Sequence, residues 1–200
     1  MLLLNRFATG LFPVVAVLAL AGCSESSTGP EKPDPEPIRT ITVDAAEAWA
    51  YADLQGDTAA LVAVADPTSS AAWDIGFFKT AVQLNGGASG PGDMVAVCLC
   101  QNADATDAEV QQLTAATELA DFEAVTAADI PAAGAAWTSD VFETAPWYRY
   151  DLAGNHQIWP TFEVYLLRRG DEVYKIQLIG YYGPAGETRQ ITFRYAQLAG

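Results

Sequence analysis

The chain has 200 residues, with 25 acidic side chains against 10 basic ones, a single histidine, three cysteines and a net charge of −15. That length accommodates one domain of ordinary size plus extensions. The acidic balance argues against nucleic-acid binding, because phosphate contacts need a basic surface, and fits solubility and repulsion from anionic surfaces.

The first segment reads "MLLLNRFATGLFPVVAVLALAGCSESS". One cation, Arg6, precedes an apolar run that is too short to span a bilayer and ends in small residues, the pattern of an export signal. Its ending, Leu20-Ala21-Gly22-Cys23, resembles a bacterial lipobox. The predicted cleavage frees Cys23 for lipidation, with residues 1–22 as the signal peptide. Each buried methylene of an acyl chain contributes about 0.8 kcal/mol, and stable anchoring takes more than one chain. The expected location is the cell envelope, anchored by lipid at the outer membrane or cell surface.

Residues 23–39 include "SESSTGPEKPDPEP", whose prolines, serines and acids cannot bury a core. They are predicted to be a disordered tether, with the folded domain running over 40–200. Strand signals dominate that domain. "EAWAYADLQGDTAALVAV" holds two β-rich runs about a Gln-Gly-Asp turn, and "AAWDIGFFKTAVQLNGG" is aromatic and ends in a turn at Asn85-Gly86-Gly87. "MVAVCLC" follows. Strand period puts Met94, Ala96, Cys98 and Cys100 on one face, with Val95, Val97 and Leu99 on the other. One short helix is expected near 106–120: Thr106 and Glu109 have capping-box spacing, and Val110, Leu113, Ala116 and Ala120 follow at helical intervals. "FEVYLLRRGDEVYKIQLIGYY" reads as a hairpin about Arg169-Gly170-Asp171, and "YYGPAGETRQITFRY" turns at residues 183–186 into a last strand. The fold class expected is all-β, with packed antiparallel sheets.

Three segments carry chemistry-bearing residues. Cys98 and Cys100 belong to an exported chain, which favours disulfides. In a regular strand, residues two apart have Cα atoms about 6.6 Å apart, while a disulfide wants Cβ atoms about 3.8 Å apart. A bridge therefore requires a bulge or turn, and two buried free thiols, a distorted CxC bridge and a soft-metal site stay open. His156, in "YDLAGNHQIWP", is at the mouth of a hairpin and reads either as a solvated turn residue or as a ligand. For catalysis, no Gly-x-Ser-x-Gly elbow is present and no carboxylate spacing nominates a glycosidase pair, so the chain is not expected to be an enzyme.

"WDIGFFKTAVQLNGGASG", "WYRYD", "VYLLRRGDEVYKIQLIGYY" and "ITFRY" together resemble the HmuY family of bacterial surface lipoproteins, in the family's order and over about residues 49–195. The resemblance implies packed antiparallel sheets, a lipid anchor and non-covalent capture of haem or a related tetrapyrrole by a pair of axial side chains. One histidine cannot form a bis-histidine pair. His156 is therefore the first ligand candidate and Met94 the second, since imidazole and thioether both bind haem iron. Arg149, Arg168 and Arg169 are candidate partners for propionates. The alternative is a surface interaction module that kept the fold without the axial ligands. An outer-membrane transporter partner is not identifiable from the sequence.

Overall fold

The computed structural model describes residues 37–55, 60–132 and 136–198. The signal segment, Cys23 and nearly all of the tether lie outside the described residues. Among the described residues, eleven strands form three antiparallel sheets, joined by short helical turns. In the first half run β1 (Arg39–Asp44), β2 (Ala50–Asp53), β3 (Ala60–Val62), β4 (Ile75–Phe78), β5 (Ala81–Leu84) and β6 (Val95–Cys98). The helical turns are α1 (Asp107–Val110), α2 (Leu119–Ala124) and α3 (Val141–Thr144). Then come β7 (Tyr148–Tyr150), β8 (Ile158–Pro160), β9 (Val164–Arg169), β10 (Glu172–Tyr182) and β11 (Thr188–Leu198). The five-stranded sheet has the order β1-β11-β10-β9-β6, the four-stranded sheet β3-β2-β4-β5, and β7 pairs with β8 alone. The predicted all-β class is the observed one.

The main core lies between the two larger sheets. Phe77 of β4 stacks on Phe193 of β11 with ring centroids 5.0 Å apart, joined by Ile75, Leu84, Tyr165, Ile176 and Tyr195. A second cluster lies on the other face of the five-stranded sheet, where Val164, Leu166 and Val173 pack under Phe122 and Val125. This is why the run 164–167 is buried throughout instead of alternating: β9 is internal, and odd and even residues enter different cores.

The polar parity of β10 and β11 also faces this second cluster, and it is used as a clamp. The Lys175 ammonium is buried and donates to the carbonyls of Phe122 and Val125, at 2.8 Å each, where α2 ends. A cation on the last free carbonyls of a helix satisfies both hydrogen bonding and the helix dipole. Burial pulls the Lys175 pKa down, against the attraction of Glu123 and Asp129. Arg194 donates to Gln177 Oε1 at 2.7 Å and to the Ala115 carbonyl at 2.8 Å, and Gln177 donates to the Phe162 carbonyl. The "YKIQ" and "TFRY" runs thus hold the helical segment down on the sheet.

That segment differs from the predicted helix over 106–120. The Thr106–Glu109 capping box is present, but α1 ends at Val110. Thr114 and Thr117 then exchange hydrogen bonds through their hydroxyls and backbone amides, at 3.0 and 3.1 Å, and helix resumes only at Leu119. Threonine hydroxyls that compete for backbone partners break helices in this way.

The Asn-Gly-Gly turn is more than a reversal. Gly87 takes φ +59, but Asn85 is a buried hub. Its Nδ2 donates to the Ser70 and Trp73 carbonyls, at 3.1 and 2.7 Å, and its Oδ1 accepts from Gly92 N at 3.0 Å. Added Cβ atoms at Gly90 and Gly92 would overlap Asn85 itself, which explains the glycines of "GGASGPGD" by close approach.

Candidate functional site

His156 sits in the loop joining β7 to β8, where Tyr148 pairs with Pro160 and Tyr150 with Ile158. The loop closes through Asp151 N to Gln157 O at 2.8 Å, and it needs left-handed backbone at Asp151, Gly154 and His156. Asp151 Oδ1 accepts from His156 N at 2.6 Å, which holds that conformation. The imidazole is 80% exposed, and its Nδ1 lies 2.7 Å from the Tyr150 hydroxyl. Pairing at Nδ1 leaves Nε2 as the ring nitrogen free of that contact.

The hairpin docks on both larger sheets. Trp147 Nε1 donates to the Thr80 carbonyl at 2.9 Å in the β4–β5 turn, and Ile158 N donates to the Tyr182 hydroxyl at 3.0 Å at the end of β10. Between them lies an open cleft of about 420 Å³, walled by Tyr148, Tyr150, Tyr181 and Tyr182, with His156 in its lining. Its cations are Lys79 and Arg189. Both have positive φ, +56 and +68, and their backbones are bridged by one residue. Ala45 accepts from Lys79 N at 2.8 Å and donates to the Arg189 carbonyl at 2.9 Å.

The structure separates the other sequence candidates from this cleft. Met94 is 1% exposed in the main core, and its N–H is bonded to Asn85 O at 3.0 Å. It does not line the cleft. Arg149 pairs with Asp107 at 2.9 Å, Arg168 lies over the Trp137 ring, and Arg169 pairs with Asp74 and Glu172, at 2.7 Å each. None of those three arginines is in the cleft lining, whose cations are Lys79 and Arg189. No local pattern marks them: each stands beside a turn, and only strand pairing brings them together.

Cys98 and Cys100 are bridged as a disulfide, so two free thiols is the wrong alternative among those the sequence left open. The regular strand ends at Cys98, Cys100 turns into the left-handed region at φ +53, and the Cα separation falls to 5.1 Å. That is the distortion a CxC bridge requires. The sulfurs and the Glu163 carboxylate lie within 4.8 Å of one another, but a metal needs thiolates, which the bridge removes.

Fold and cleft define an antiparallel β-sandwich-like domain with a tyrosine-walled, cation-bearing cleft under a histidine loop. The HmuY protein family model matches residues 45–195, and the chain belongs to the HmuY family. No curated protein matches it. Among solved structures, a Bacteroides fragilis protein named as a lipoprotein is 17% identical with TM-score 0.47, over 80% of this chain and 88% of that one. A Bacteroides vulgatus protein named as HmuY-like and haem-binding is 17% identical with TM-score 0.46, over 80% and 91%. The apo HmuY analogue of Tannerella forsythia is 14% identical with TM-score 0.47, over 84% and 100%.

Proposed function

We propose that this protein is lipid-anchored through Cys23 at the bacterial surface and captures haem, or a related tetrapyrrole, non-covalently in the cleft beside His156. The observation that carries this is the composition of one cleft: an imidazole, four tyrosines and two cations in a single lining. A volume of about 420 Å³ lies within the range of roughly 300–1,000 Å³ for small-molecule sites. The residues fit the group. His156 would hold the iron through Nε2 while Tyr150 orients the ring, Lys79 and Arg189 would complement propionates, and the tyrosine rings would supply flat walls. Met94 has no part in this site. A tyrosine phenol oxygen of the lining would be a further donor type for the iron. Haem, when bound, supplies the iron and the spectrum.

Family membership supports the reading. The exposure of His156 favours a second one, in which the domain is a surface interaction module and His156 only a turn residue. Titrating oxidised and reduced haem into the detergent-solubilised full chain separates them. A saturable Soret shift that His156→Ala abolishes or moves is expected. No saturable spectrum overturns haem capture, and an unchanged spectrum in His156→Ala moves the site elsewhere.

A further inference from the structure

The Cys98–Cys100 bridge is unlike a structural staple. It spans a single residue, Leu99, so it closes almost no chain, and the entropy a disulfide removes from an unfolded chain grows with loop length. It also holds Cys100 at φ +53, a conformation that is unfavourable for a residue with a Cβ. The β6–β9 register pairs Cys98 with Tyr165, and Leu99 N still bonds the Val164 carbonyl at 2.9 Å. The same register carried on would place Cys100 opposite Glu163. Instead the chain leaves the ladder, and the Gln101 side chain accepts from Val164 N at 3.1 Å. The bridge thus interrupts pairing that the sheet otherwise offers. Both cysteines are half-buried, and hence partly open to solvent.

Glu163 is the second element. It is buried, its Oε2 accepts from Asn102 N at 3.0 Å, and its carboxylate lies within 4.8 Å of both sulfurs. Burial raises its pKa, against the Asn102 N–H and Arg149 and with Glu118, so it holds a proton closer to neutral pH than an ordinary glutamate. Exposed disulfides and those under conformational load are the ones that exchange, and a proton donor beside the leaving sulfur assists thiolate departure.

We propose that Cys98–Cys100 is an exchange-active disulfide that takes electrons from dithiols, with the Glu163 carboxyl protonating the thiolate it releases. A thiolate of the dithiol attacks one bridge sulfur. The Cys98–Cys100 bond breaks, a mixed disulfide forms, and the other cysteine leaves as a thiolate that takes the proton of Glu163. The second thiol of the dithiol then attacks the mixed disulfide and releases the remaining cysteine, which is protonated in turn. The dithiol ends as its cyclic disulfide and gives its two thiol protons to water; water returns one proton to Glu163 and supplies the one that the second cysteine takes, so two electrons and two protons have reached the protein. The site is independent of the haem cleft.

The test treats the native full chain with reduced dithiothreitol, traps thiols with N-ethylmaleimide, and weighs the peptide carrying Cys98 and Cys100. The expected result is two labels while tryptophan fluorescence stays native, reversed by oxidised dithiothreitol. Glu163→Gln is expected to slow labelling about tenfold, and Glu163→Asp to recover part of the rate. A bridge that opens only when the chain unfolds overturns the proposal, and a wild-type rate in Glu163→Gln overturns the proton step. If Glu163→Gln does not fold, Cys98→Ser and Cys100→Ser decide. The exchanging sulfur should capture 5,5′-dithiobis(2-nitrobenzoate) as a mixed disulfide in the native chain, and failure of both overturns the site.

Discussion

Asn85 is the residue whose removal tests most directly how the aromatic segment is held. Its side chain is 2% exposed and makes three hydrogen bonds, to the Ser70 and Trp73 carbonyls and from Gly92 N. Asn85→Ala deletes all three and leaves the half-buried Gly92 N–H, the half-buried Ser70 carbonyl and the buried Trp73 carbonyl with fewer partners. Each lost bond costs about 1 kcal/mol, and an orphaned buried group about 1–3 kcal/mol, so a loss of about 3–5 kcal/mol is expected. In urea, with a slope of about 2 kcal/mol/M, the midpoint should fall by about 2 M. Asn85→Asp is the sharper probe. It keeps an acceptor for Gly92 N–H but turns an ionised oxygen toward two carbonyls. That repulsion and burial raise its pKa, so its penalty is greatest at neutral pH and shrinks as acid protonates it. Tryptophan-fluorescence unfolding at pH 7 and pH 4.5 reads both variants. The exposed loop residue Asn155 is the control, and Asn155→Ala should stay within about 0.5 kcal/mol. An Asn85→Ala loss below about 1 kcal/mol, or an Asn85→Asp variant no better in acid, would refute the hub.

Trp73 is 1% exposed and edge-on to Tyr51, with centroids 4.8 Å apart, so Trp73→Ala should cost about 3–5 kcal/mol. Its indole N–H has no partner among the described residues, so Trp73→Phe should cost clearly less. Equal melting temperatures for the two variants would contradict this. Burial pushes Asp74 up to about 6 from an ordinary 3.8, against the Leu54 N–H and Arg169 that pull it down. A raised folded pKa means stability that is present below 3.8 and lost as pH rises through 6. Urea unfolding should therefore show wild type gaining on Asp74→Asn by up to about 3 kcal/mol between pH 7 and pH 4, and a flat difference would count against it. Cys23→Ser should abolish metabolic lipid labelling without changing the melting temperature of the domain, and continued labelling would defeat the lipobox reading.

Local pattern determined much of this protein. The strand runs, the turns at Gly170 and at residues 183–186, the Thr106 capping box and the alternation of Met94, Ala96 and Cys98 against Val97 and Leu99 were all legible, because each depends on residues within a few positions of one another. Which face of β6 met the main core was not legible, since alternation names two faces and only packing chooses between them. That choice removed Met94 from the candidate site. The disulfide stayed one alternative among three because regular strand geometry holds only to Cys98, and the left-handed turn at Cys100 that permits the bridge has no signature in "CLC". Thr114 and Thr117 broke a helix whose apolar period continued, so hydroxyl competition outweighed periodicity. Lys79 and Arg189 stand 110 residues apart and became neighbours through the backbone of Ala45, which sits beside β1 as it pairs with β11. Contacts of that range depend on sheet register and closure of the fold, which no window of sequence encodes, and it was the tertiary structure that put two cations beside the histidine.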